Sequence, residues 1–189
     1  QYLIGDISSM PKGMEGAPFL GTLISTLIER GHEVSAYTLD RAVSDSLSRP
    51  IVVHGRRGFK IYYGHYRPHS FRFNGRRLGR IVDFFRTECL VIRAAIMADE
   101  PDVVHAHWTY EFALAAIASK RPYVVTCHDS PYLVLKLEPN IYRFGRYLMA
   151  RSVFKKARMI TAVSPYMKEE IQKYSPVTIT FVPNPLTSA

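Results

Sequence analysis

The stretch "PDVVHAHWTYEFALAA", Pro101–Ala116, decides the fold because its period changes in the middle. "DVVHAH" reads as a buried strand, and "YEFALAAIAS" from Tyr110 onward reads as a helix. A strand that runs directly into a helix is half of a βαβ unit, and the strands of such a unit lie parallel. The strand also ends in side chains that are polar and bulky: His105, His107 and Trp108. Open parallel sheets bind their ligands beyond the carboxyl ends of the strands, so polar tips on an apolar strand mark this as a place to look for a site.

The same alternation extends to both sides. "YLIGD" (Tyr2–Asp6) reads as a first strand, followed by the loop "ISSMPKGMEG". Leu20, Leu23, Ile24, Leu27 and Ile28 share one helical face, and Arg30-Gly31 supplies a stop. "HEVSAYTL" (His32–Leu39) is a second strand, and Ile51–Val53 and Lys60–Tyr63 are short ones. Leu78, Ile81, Val82, Phe85, Cys89, Ile92 and Ile96 then predict a helix of about five turns. Downstream, "YVVTCH", "MITAVS" and "TITFVP" read as strands. Helices are expected within Ile141–Ala157 and over "PYMKEEIQKY", where Pro165 takes the first position. The expected fold class is α/β: a Rossmann-like, mostly parallel sheet with helices on both faces, in one domain over residues 1–189.

The 189 residues are 47% hydrophobic and 22% charged, enough to bury a core and too apolar for disorder. No apolar run is long enough to span a bilayer, and the first residues lack the basic and apolar regions of a signal peptide. Cys89 and Cys127 are the only cysteines, which fits a reducing compartment better than a disulfide framework. A cytoplasmic location, extending to the inner face of a membrane, is the expectation. The net charge of +9 favours anionic partners. From His54 to Arg80 there are eight Arg or Lys and no acid.

Four strand ends carry polar or flexible residues. Gly13 and Gly16 follow the first, His107 and Trp108 the "HAH" strand, His128 and Asp129 the next, and Ser164 the one after. His105 and His107 are two apart and so face the same way. The glycines allow backbone N–H groups to approach a phosphate, although Met14 and Glu15 separate them; an ordinary turn is the alternative. Asp40 ends the second strand where a ribose-binding acid sits in dinucleotide folds, but no G-x-G-x-x-G accompanies it. A neutral His128 can hydrogen-bond a ligand hydroxyl, with Asp129 beside it as an orienting or accepting group; a histidine that only caps its strand is the alternative. His107 and Trp108 are read as lining a pocket at the strand ends, and His105 as a buried, satisfied histidine beneath it. Ser164 before Pro165 reads as an N-cap. Two histidines and Cys127 make no known metal spacing, so no metal is expected.

Taken in order, "KGMEG", "ERGHEVSAYT", "PDVVHAHW", "PYVVTCHDSP", "ITAVSPYMKEEI" and "VPNP" resemble the N-terminal domain of GT-B glycosyltransferases, specifically the retaining family 4. The resemblance covers nearly the whole chain and is weakest from Arg41 to Glu100. It implies a hexosyltransferase-type enzyme of two Rossmann-like halves around a cleft. This half mainly binds the acceptor. The other half binds the nucleotide sugar through a paired-glutamate motif that is absent from this sequence. By the resemblance, His128 lies near acceptor and transferred sugar and bonds a sugar hydroxyl, Asp129 orients it or accepts from the acceptor, His107 and Trp108 line the acceptor pocket, Ser164 lies near the cleft, and the nucleotide sugar is a substrate with no further cofactor. The chain ends just past a strand at "VPNPLTSA" and is expected to border that second half.

The basic, aromatic stretch holding Arg56, Arg57, Lys60, Arg76 and Arg77 is a candidate for gripping an anionic or lipid-linked acceptor, or for meeting an anionic membrane surface; a solvated surface with its aromatics turned inward is the alternative. Nucleic acid ranks last, since no recognised nucleic-acid motif is present. The rival to an enzyme is a non-catalytic Rossmann-like module that binds a nucleotide or another anionic partner.

Overall fold

The computed structural model describes residues 3–4, 10–11, 17–44 and 50–185. The chain divides into two compact units, Gln1–Tyr66 with Asn184–Ala189, and Arg67–Pro183. The expected first strand falls largely outside the described residues, as does the Lys12–Gly16 turn. Leu3 and Ile4 are described, and the Leu3 carbonyl accepts from the Arg56 amide at 2.8 Å.

In the first unit, α1 (Phe19–Glu29) forms where its apolar spacing predicts. It closes in a Schellman motif: Gly31 takes φ +87, His32 N donates to Leu27 O, and Gly31 N donates to Ile28 O. The sheet runs β1 (Ser35–Asp40), β3 (Lys60–His65), β2 (Ile51–His54). β1 and β3 are parallel, and β2 is antiparallel to β3 across a turn with Arg57 and Gly58 at positive φ. Tyr37 pairs with Tyr62 in register, and their rings stack at 5.2 Å.

The second unit holds an all-parallel sheet in the order β4 (Val104–His107), β5 (Tyr123–Cys127), β6 (Ile160–Ala162), β7 (Thr180–Phe181). Chain order equals spatial order, so each crossover steps to the adjacent strand. α2 (Arg86–Asp99) packs along α3 (Glu111–Ser119), and α4 (Pro131–Leu137) packs along α5 (Ile141–Lys156). α6 (Pro165–Gln172) joins β6 to β7. The core draws on Val125, Cys127, Ala150, Val153, Ile160, Ala162 and Ile171, all essentially inaccessible. Three N-caps are side-chain made: Ser130 accepts from Leu133 N, Asn140 from Arg143 N, and Ser164 from Met167 N.

One expected element is shorter than its periodicity predicts. The helix begins at Arg86 rather than near Leu78. Phe84 and Phe85 sit at φ 53 and 57, a conformation that no helix continues through. The cause is the fully buried Arg67. Its guanidinium holds Glu88 through Nε at 3.0 Å and Nη2 at 2.6 Å, Asp83 at 2.8 Å, and the Leu78 carbonyl at 2.8 Å. Residues 78–85 wind around that cation in turns, because leaving it unpaired in the interior costs more than the helical bonds return. α4 was not expected. Its seven residues follow a Ser-Pro start, the same opening that begins α6.

Candidate functional site

β4, β5 and β6 are neighbours and parallel, so their carboxyl ends share one edge of the sheet. Past that edge lie Trp108, the His128–Asp129 pair, and Ser164. The Trp108 amide donates to Thr126 O at 2.9 Å, which carries the ladder one step beyond His107. Trp108 then takes φ +64 and turns the chain, leaving Thr109 and Tyr110 buried behind it.

The turn brings three rings together. His107 Nδ1 and His128 Nε2 are 2.9 Å apart, and the Trp108 ring centre lies 4.7 Å from that of His128. An N···N hydrogen bond between imidazoles needs one donor and one acceptor, so at most one ring can be protonated. Burial holds both neutral: the His107 pKa falls to about 3 and that of His128 to about 4, with neighbouring imidazoles adding to the effect.

His105 points to the same face as His107, as the spacing predicts, with ring centres 4.1 Å apart. The expectation that it is buried is corrected, because its position on the strand is exposed. It is satisfied nonetheless. His105 Nε2 bonds Thr126 Oγ1 at 2.7 Å, and Thr126 Oγ1 bonds Thr161 Oγ1 at 2.7 Å, a polar ladder across three strands.

Asp129 has partners that no sequence spacing announces. The Tyr110 hydroxyl donates to its carboxylate at 3.2 and 3.3 Å. Arg146 of α5 lies 3.6 Å over the Tyr110 ring and pairs with Glu111, itself buried. Burial raises the Asp129 pKa, against the opposing pull of Tyr110, Arg146 and Arg143. Burial also raises the Tyr110 hydroxyl, and the Asp129 charge adds to that, so the phenol stays a donor. The Thr109 hydroxyl, buried next to this group, finds no hydrogen-bond partner among the described residues. Cys127 is fully buried, and its thiol is pushed up by burial and by Asp129, which suits packing and not nucleophilic attack.

The structure therefore gathers His107, Trp108, His128 and Asp129. Ser164 caps α6 at the end of the adjoining strand. Gly13 and Gly16 lie outside the described residues. Arg56 and Arg57 are exposed in the β2–β3 turn and Lys60 begins β3, all in the first unit. Arg76 and Arg77 are exposed in the second unit. Asp40 is engaged locally, its carboxylate accepting from Ala42 N at 2.7 Å. Among the described residues no helix is long and apolar enough to cross a membrane.

A four-stranded, all-parallel sheet with helices between its strands defines a Rossmann-like class of domain, half of a GT-B fold in its α/β pattern. The model of the family described as Glycosyltransferase Family 4 matches residues 18–187, and the chain belongs to that family. Among curated proteins no sequence matches it.

Proposed function

We propose that this chain is the acceptor side of a retaining hexosyltransferase, which moves a sugar from a nucleotide sugar to an acceptor hydroxyl. The single observation that carries the reading is the His107–His128 contact beneath Trp108 and beside Asp129. A sugar needs hydrogen-bonding groups that donate and accept without charge, an aromatic wall for its apolar face, and a base-like acceptor for the reacting hydroxyl. Neutral imidazoles supply the first, Trp108 the second and Asp129 the third.

In transfer, the bond from the anomeric carbon to the diphosphate breaks and a bond to the acceptor oxygen forms on the same face. His128 bonds a hydroxyl of the transferred sugar. Asp129, held by Tyr110, accepts the hydrogen bond of the acceptor hydroxyl, fixes its angle of approach and takes its proton as the new bond forms. The charge that develops on the diphosphate must be met by donors in the transition state. By the family pattern those donors belong to a second, nucleotide-sugar half. The partners are thus that second half and a sugar or lipid-linked acceptor. The chain alone binds acceptor weakly and does not turn over.

The test is a transfer assay on the chain joined to its nucleotide-sugar half, comparing wild type with His128→Ala and Asp129→Asn. Loss of turnover in both, with nucleotide affinity intact, supports the reading. A chain that binds nucleotide tightly, ignores every sugar and lipid acceptor and loses nothing on either substitution is a non-catalytic module.

A further inference from the structure

The segment 69–80, "HSFRFNGRRLGR", takes no part in the site above, and it is built for display. It is a hairpin whose tip is Gly75–Arg76, with Gly75 at φ +60. Asn74 and Arg77 exchange backbone bonds at 2.8 and 3.1 Å. The Asn74 side chain accepts from the His69 amide and donates to the carbonyls of His69 and Leu78. At the base, Arg80 Nη1 donates to the carbonyls of Arg67 and Pro68, both at 2.7 Å. Gly79 is pressed so close that a Cβ there would lie 2.4 Å from Ser70 O.

A loop clamped at tip and base cannot fold its apolar side chains inward. Phe73 is 67% exposed, Phe71 53% and Leu78 46%, with Arg72 and Arg76 exposed between them. The start of α5 continues the surface. Phe71 lines a groove with Asn140, Ile141, Tyr142 and Arg143. Ile141 is 75% exposed, Phe144 one turn on is 51%, and Leu137 at the end of α4 is 79%. Gly145 seats α5 against this region, since a Cβ there would meet Ile81 at 2.7 Å.

The geometry points to a docking face for an anionic bilayer surface, made by the hairpin tip and the start of α5. Two features choose the occupant. The charge is complementary: Arg72, Arg76, Arg77 and Lys136 are exposed here, and the acid Glu138 is already paired with Arg143. The apolar members include the aliphatic Leu78, Leu137 and Ile141. Bases stack on aromatic faces and gain little from branched aliphatics, whereas the acyl boundary accepts both, with arginines reaching back to the phosphates. The inference stands without the sugar-transfer reading.

The experiment is co-sedimentation of the chain with vesicles of phosphatidylcholine alone and of phosphatidylcholine mixed with phosphatidylglycerol. The expected result is binding to the mixed vesicles only, weakened by salt. Arg72→Gln with Arg76→Gln lowers partitioning about 30-fold, as two basic side chains at an anionic surface require. Phe71→Ser with Phe73→Ser lowers it by at least about tenfold while the salt dependence persists. Lys155→Gln with Lys156→Gln, about 20 Å further along α5, changes little. Equal loss from the Lys155 and Lys156 pair, equal binding to both vesicles, or no vesicle binding overturns the proposal. So does tight capture of a labelled oligonucleotide through Phe71 and Phe73, or a concentration-dependent doubling of mass that these phenylalanines control. Circular dichroism of each exposed-residue variant confirms that the fold is retained.

Discussion

His107 Nδ1 lies 2.9 Å from His128 Nε2, a bond that two protonated imidazoles cannot form. The unfolded rings titrate near 6.5, and the folded rings near about 3 and about 4. Between those values the unfolded chain takes up protons that the folded chain refuses, so acid favours unfolding. Stability from this pair is therefore complete above about pH 6.5 and is lost as the pH falls toward about 4. Urea midpoints measured across that window should fall with acidification. His107→Gln with His128→Gln should flatten the slope.

His128→Ala removes a hydrogen-bonding group from the rim while leaving β5 intact. Turnover by the chain joined to its nucleotide-sugar half should fall about 10–100-fold, the loss of one or two hydrogen bonds to substrate. The thermal midpoint should move little, since His128 is half-buried and its partner His107 can turn to water.

Asp129→Asn separates function from stability. Burial makes the charged carboxylate costly, and an asparagine keeps an oxygen for the Tyr110 hydroxyl. The Tm should hold or rise. Transfer should fall about 100-fold or more, because an amide cannot take the acceptor's proton in the transition state.

Much of this arrangement was legible in the sequence, for reasons tied to particular residues. α1 announced itself because Leu20, Leu23, Ile24, Leu27 and Ile28 lie on one face and Gly31 ends it. The rim was legible because parallel strands put their carboxyl ends together, so His107, Trp108 and His128 had to be neighbours. The helix across Leu78–Phe85 failed because apolar spacing carries no information about a buried Arg67 that reels in Leu78, Asp83 and Glu88. Tyr110 and Arg146 went unseen as partners of the Asp129 region because their contacts join distant segments.

Arg67→Met should be the most damaging single change in the second unit. It strands Glu88, which is fully buried, and frees Asp83 and the Leu78 carbonyl. Removing one partner of a buried pair costs about 3–5 kcal/mol. Adding Glu88→Gln to Arg67→Met should recover part of that loss in a denaturant titration, giving a clear coupling energy.

Neither thiol should react in the folded chain. Cys127 is fully buried, and burial pushes Cys89 up to about 12. Ellman's reagent should find no reactive thiol in buffer and two in denaturant, the full count of cysteines.

The sole tryptophan, Trp108, lies against His128, so its emission reports directly on the rim. Titrating the chain with candidate sugar and lipid-linked acceptors should change that emission saturably, and His128→Ala should abolish the change. A Trp108 signal that answers no acceptor, or one that persists unaltered in His128→Ala, would contradict the assignment of this rim as the acceptor site.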